Sequence, residues 1–250
     1  FSAGLASMGL IPVFAVYSSF LQRAYDQLIH DASISQLHIV IAIDRAGVVG
    51  EDGETHQGVF DIPMLTSIPE VVIYSPSSYA SLKSCLNQAI YEDKGLVCVR
   101  YPRGNEKNTF DNTDINTEYK LYKNELSDSN LLIITYGRLI NEVEKVKSDL
   151  SKQNISCDIL KLTKVFPLNE DVITTSLKYK NIIFFEECME NGGISEHFLN
   201  ALCKHNYKGK YSHKGINVFV KHASVSCTLV NLGLDHCSML KFIKEKLSEV

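Results

Sequence analysis

The chain has no CxxC pair, no Walker A sequence, no GxGxxG after a strand-like run and no GxSxG elbow. Nucleotide folds of the first two phosphate-binding kinds lose support, and so does an α/β-hydrolase. The cysteines are seven, an odd number. They fit reduced thiols in a reducing compartment rather than a disulfide framework. A zinc site drawn from Cys203, His205, Cys227, His236 and Cys237 matches no standard ligand spacing. Positive charge is not in excess, for 25 lysines and arginines face 29 acids and the formal net charge is -4. That balance argues against a nucleic-acid or anionic-membrane surface. No apolar run approaches the roughly 20 residues needed to span a bilayer. Residues 1–12 are apolar but carry neither a basic leader nor a convincing cleavage site, so no signal peptide is expected. Internal repeats and low-complexity segments are absent too. No methionine precedes Phe1, and the chain starts inside an apolar, alanine-rich stretch, which reads as a cut edge.

What is present is an ordinary soluble composition, 45% hydrophobic and 22% charged over 250 residues, long enough for two domains. Apolar runs alternate with amphipathic segments. Strands are expected at 11–17, 38–44, 71–74 and 96–101. A helix capped by Ser18 or Ser19 is expected to run to about Asp31, and another to start at Pro76. Its apolar stripe would be Tyr79, Leu82, Leu86 and Ile90. Residues 105–129 turn to Asn, Asp, Lys and Glu and read as a linker. The alternation restarts with strands at 131–136, 156–162, 181–185 and 216–220, and helices at 139–150, 195–205 and 237–247. The expected fold class is α/β, two consecutive open, mostly parallel sheets covered by helices. The domains would be 1–104 and 130–250.

In open α/β sheets ligands gather beyond the carboxyl ends of the strands. Tyr17 with Phe20, Arg45, the loop bearing Asp52 and His56, and Arg103 all fall at or just past such ends. Two arginines arriving from separate strands suit a phosphate or carboxylate, which a guanidinium grips through paired hydrogen bonds. The plainer alternative pairs Arg45 and Arg103 with Asp44 or Glu92. His56 has the chemistry to relay protons near neutrality, or stands idle on a solvated loop. Phe20 either stacks on a planar ring or belongs to the core.

Four segments carry a resemblance. Tyr17-Ser-Ser-Phe-Leu-Gln-Arg-Ala-Tyr-Asp-Gln27, Ile43-Asp-Arg-Ala-Gly47, Asp52-Gly-Glu-Thr-His-Gln-Gly58 and Arg100-Tyr-Pro-Arg-Gly104 resemble the 1-deoxy-D-xylulose-5-phosphate synthases, thiamine-diphosphate-dependent relatives of transketolase. Lys164-Val-Phe-Pro-Leu168 and Glu186-Glu-Cys-Met-Glu-Asn-Gly-Gly193 are similar to that family more loosely. The resemblance implies a pyrimidine-binding domain followed by a transketolase C-terminal-type domain. It implies a transferase that condenses pyruvate, with loss of CO₂, and glyceraldehyde 3-phosphate for isoprenoid, thiamine and pyridoxal precursors.

By the same resemblance Phe20 would stack on the aminopyrimidine of thiamine diphosphate and Arg23 would support that wall. Tyr17, Arg45 and Arg103 would hold the triose phosphate, with Asp52 and His56 beside the reacting carbons. Mg²⁺ and the diphosphate would sit on an N-terminal domain missing from this chain. So would the glutamate that activates the aminopyrimidine, a few residues before Phe1. The chain alone would then be inactive. A homodimer is implied, in the bacterial cytoplasm or the plastid stroma, with no nucleic-acid or membrane partner. Residues 221–228 depart from the family's proline-containing segment. Two other readings stay open, the β-subunit of a 2-oxoacid dehydrogenase and a non-catalytic dimerisation module.

Overall fold

The computed structural model describes residues 1–106, 117–124 and 129–249. Most of the segment read as a linker lies outside the described residues. Among the described residues, ten strands form two five-stranded sheets. In the first, β1 (Val13–Tyr17), β2 (Ile39–Asp44), β4 (Leu96–Arg100) and β3 (Val72–Tyr74) run parallel in that order. β8 (Lys164–Phe166) closes the sheet antiparallel to β3. The second sheet has the order β10 (Lys210–Ile216), β9 (Asn181–Met189), β6 (Leu131–Tyr136), β7 (Asp158–Leu162) and β5 (Tyr119–Tyr122). Only β5 runs antiparallel to its neighbour there. The α/β class with two mostly parallel sheets is therefore observed.

The central strands are continuous apolar runs because helices and the other sheet cover both of their faces. β2, β4 and β6 are buried almost throughout. One apolar cluster joins Ile41, Ile43 and Cys98 of the first sheet to Ile134, Tyr136 and Phe184 of the second. Since β8 comes from the second half of the chain and completes the first sheet, the two units interlock.

Several local expectations need correction. The helical run after β1 is capped by neither serine. Tyr17 is its N-cap residue, and the hydroxyls of Ser18 and Ser19 are buried with no hydrogen-bond partner among the described residues. The next helix starts at Tyr79 rather than Pro76, because Ser78 and Ser81 form a reciprocal capping box. Tyr79 then points to solvent at 58% exposure, and Cys85 and Ala89 take the buried positions. Within the expected linker, Tyr119–Tyr122 pairs with β7 as an edge strand. The last strand ends at Ile216, where expectation placed its start, and a helix at Val225–Leu232 was not anticipated. Its caps are Ser224 and the left-handed Gly233. All seven cysteines are free, and Cys85, Cys98, Cys157 and Cys188 are buried. Among the described residues no helix is long and apolar enough to cross a membrane.

Candidate active site

β1, β2 and β4 end side by side, and the candidate residues stand at those ends. Tyr17 closes β1, and the turn into the following helix lays Phe20 over it, with ring centroids 5.3 Å apart and planes 18° from parallel. His56 meets the same Phe20 edge-on at 5.4 Å. Phe20 is 51% exposed, so it belongs to no core. Its ring is an open wall.

Arg45 leaves β2 in the left-handed region at φ 59°, a conformation that non-glycine residues adopt at a cost. The twist turns its side chain back over Tyr17, with the guanidinium carbon 3.8 Å from the ring centroid. Its Nη1 donates to Asp44 Oδ2 at 2.6 Å and its Nε to Asp52 Oδ2 at 3.2 Å. Arg103, beyond the end of β4, donates to the other oxygen of the same Asp52 carboxylate. Partial burial opposes the Arg45 charge, but Asp44 and Asp52 outweigh it and hold the guanidinium firmly protonated. Glu92 takes no part among the described residues. One carboxylate thus joins two guanidinium groups, one on each of its oxygens.

The loop that delivers Asp52 and His56 is braced. Gly47 and Gly58 exchange backbone hydrogen bonds of 2.6 and 2.8 Å and close its neck. A side chain at Gly58 would collide with the Arg45 carbonyl oxygen, so glycine is required there. Inside the ring, Gln57 is buried. Its Oε1 accepts from Val49 N–H at 3.0 Å, and its Nε2 donates to the Gly53 carbonyl at 2.9 Å. The Thr55 hydroxyl lies 2.9 Å from His56 Nδ1, which leaves Nε2 as the ring nitrogen without a partner among the described residues.

Tyr17, Phe20, Arg45, Asp52, His56 and Arg103 are therefore brought into one contact network. Arg23 is not among them. It is exposed on a single turn of 3₁₀ helix and makes none of the cluster's contacts among the described residues. Of the cysteine and histidine set considered for zinc, only His236 and Cys237 come together, with Asp235, their ligand atoms within 4.8 Å of one another.

Sequence reasoning missed what the second half of the chain does here. Arg138 and Glu187 form a largely buried ion pair that bonds the backbone at Val48. Lys221 reaches Glu54 at 3.1 Å, and Ala223 and Val225 pack against Gly50. No local pattern announces these contacts, because each joins residues far apart in sequence. The doubled glutamate ahead of Gly192-Gly193 was the one available signal.

Residues 1–108 match the family model described as "Transketolase, pyrimidine binding domain", and residues 122–239 the one described as "Transketolase, C-terminal domain". The chain is 35% identical over 254 residues to a 1-deoxy-D-xylulose-5-phosphate synthase of Helicobacter pylori strain G27, covering 99% of this chain and 40% of that protein. A synthase of the same name from Listeria welshimeri is 35% identical over 253 residues, again at 99% and 40% coverage. The Clostridium acetobutylicum protein is 38% identical over 232 residues, 90% of this chain and 36% of its own length. The chain thus spans about two fifths of the curated relatives it matches. Among solved structures, one described as "Split gene transketolase, inactive beta4 tetramer" superposes with a TM-score of 0.86 at 18% identity, over 98% of this chain and 78% of that one. At that identity the likeness concerns the fold.

Proposed function

Because the chain belongs to the transketolase-like family, carrying its pyrimidine-binding and C-terminal domains, we propose that the whole protein is a thiamine-diphosphate-dependent synthase. In this reading it condenses pyruvate, with loss of CO₂, and glyceraldehyde 3-phosphate to 1-deoxy-D-xylulose 5-phosphate. The observation that carries the proposal is the Asp52 carboxylate shared by Arg45 and Arg103 beside the Tyr17–Phe20–His56 wall. An anion seat stands there next to an exposed aromatic face.

The residues fit the cofactor's ring. Phe20 offers a half-exposed face, and the buried hydroxyls of Ser18 and Ser19, next to it in the chain, lack partners among the described residues. When bound, thiamine diphosphate supplies the electron sink for decarboxylating a 2-oxo acid. Phe20 would hold the aminopyrimidine, with Arg23 further along the same turn. A preceding domain would hold the diphosphate, Mg²⁺ and the activating glutamate, so the 250-residue chain alone does not turn over.

This chain's own groups do the rest. Arg45 and Arg103 release Asp52 and take the phosphate of the triose, while Tyr17 keeps the Arg45 guanidinium in place. His56, through Nε2, supplies the proton that the aldehyde oxygen takes up as the carbon–carbon bond forms, and Asp52, set free, stands beside it. The exposed apolar residues Met8, Leu10, Ile11, Val13 and Phe14, along the β1 edge, suit cover by the preceding domain and a second copy.

The test is product formation by the full-length protein from pyruvate and glyceraldehyde 3-phosphate. A protein that instead needs a lipoyl acceptor and ignores the triose is a 2-oxoacid dehydrogenase component. One that binds no ligand at this cleft, with all domains present, is an assembly module. Either result ends the proposal.

A further inference from the structure

The second sheet does more than support the first. Glu187, near the end of β9, accepts the Val48 N–H through Oε1 at 2.7 Å and Arg138 Nε through Oε2 at 2.9 Å. Arg138 Nη2 closes the pair on Glu187 and also donates to the Val48 carbonyl oxygen. The N–H and the carbonyl of one residue belong to the two peptide planes on either side of its Cα. Holding both planes restrains φ and ψ of Val48. An apolar contact would fill the same space without setting that orientation.

Two further observations place this hold at the base of the loop. Gly47, at φ +81°, lies so close that an added Cβ would come within 2.7 Å of the Glu187 carboxyl carbon. On the other side of the neck, the Met189 N–H donates to the Val59 carbonyl at 3.0 Å, so the end of β9 grips both strands of the neck. The side chains of Arg138 and Glu187 are 17% and 7% exposed, and water competes little with them.

We propose that Arg138 and Glu187 are positioning residues for the loop of residues 47–58, setting where Asp52 and His56 stand against the seat made by Arg45 and Arg103. Neither touches the reacting atoms. A small rotation at Val48 is carried outward through the Gln57 brace to Asp52 and His56. A displacement of about 1 Å at a reacting centre costs on the order of 100-fold in rate. The inference rests on the reading of this loop as the reacting site.

The experiment compares three variants of the full-length protein. Arg138→Met removes the donor to Val48 and leaves Glu187 unpaired, Arg138→Lys keeps a donor, and Thr135→Val is the control. Thr135 is fully buried and donates to the Phe185 carbonyl at 3.0 Å, so its loss weakens the same sheet without removing either bond to Val48. Well below the melting temperature, Arg138→Met should lower kcat at least about tenfold, by the displacement argument. It should also speed hydrogen exchange of the amides of residues 48–58 about tenfold through freer local opening. Arg138→Lys should restore most of both. Thr135→Val should lower the melting temperature while leaving kcat and the loop's exchange as they were.

Unaltered exchange and kcat in Arg138→Met overturn the inference, and so does a matching kcat loss in Thr135→Val. If Arg138→Met does not fold, Glu187→Gln, which keeps an acceptor for Val48 but weakens the ion pair, must show faster loop exchange with a smaller kcat loss. The exchange readout needs no turnover. A parent protein without triose-phosphate condensation whose loop still loosens would sink the proposed function and leave the clamp standing.

Discussion

Replacing Arg103 by alanine in the full-length protein removes one of the two guanidinium groups that share Asp52. A charge-assisted hydrogen bond contributes about 1.5–3 kcal/mol, and exposure to water pulls it toward the lower figure. The Arg103 side chain is 45% exposed and Arg45 only 21%. Arg103→Ala should therefore cost about 1.5 kcal/mol, roughly tenfold in kcat/KM for the triose phosphate. Arg45→Ala also gives up the stack on Tyr17 and frees Asp44, so it should approach about 3 kcal/mol, roughly 150-fold. The two losses should not add. With one arginine gone, Asp52 competes for the other, and the double variant should fall short of the product of the singles. Asp52→Asn supplies the opposite arm: with the competing carboxylate neutralised, KM for the triose phosphate should fall even as kcat falls. Steady-state kinetics with each substrate varied in turn reads all of this. Pyruvate carries no phosphate, so its KM should change little in the arginine variants. Equal losses for both substrates, or a smaller effect at Arg45 than at Arg103, would refute the assignment of these arginines to the phosphate.

His56→Ala should lower kcat by about 100-fold or more, because a proton-handling group is gone while the anion seat remains; a defect confined to KM counts against it. Asp61 is fully buried and takes both Nε and Nη2 of Arg100, itself 4% exposed, at 2.9 and 3.2 Å. Asp61→Asn leaves a buried guanidinium without its counter-ion and should cost about 3–5 kcal/mol. Calorimetry should show a melting temperature lower by about 6–20 °C, with most of it recovered when Arg100→Met is added; a drop of a degree or two would contradict the argument. Burial pushes the Glu186 carboxyl up to about 7, although Ser195 and Tyr136 bond to it and favour its charge. The folded state then holds a proton that the unfolded chain has already lost above its ordinary value of 4.5. This contribution is fully present below that value and disappears as pH rises through about 7, a loss on the order of 3 kcal/mol. Thermal melts from about pH 5 to 8 should show the decline in the parent and a flatter profile in Glu186→Gln; superimposable profiles would rule it out.

The strands were legible because burial on both faces demands unbroken apolar runs, and Ile39–Asp44, Leu96–Arg100 and Leu131–Tyr136 have them in plain view. The residues at their carboxyl ends were legible for a related reason, since polar side chains that follow such a run must emerge at the rim of the sheet. Edges and caps were harder. Tyr119–Tyr122 has a single lysine, Lys120, among its four residues and becomes a strand only because β7 offers it a free edge. The helix after Tyr74 starts where Ser78 and Ser81 satisfy each other's backbone, a competition that Pro76 loses. The sharing of Asp52 by two arginines belongs to tertiary structure. Nothing in the order of residues says that Arg45 and Arg103 meet on one carboxylate, or that Arg138 and Glu187 reach back some 90 to 139 positions to Val48. Hydrophobic periodicity is written locally and is set by the geometry of one strand or helix. The pairing of charges depends on which elements become neighbours. That is decided only when the two sheets pack, and low dielectric between them makes an unpaired buried charge costly.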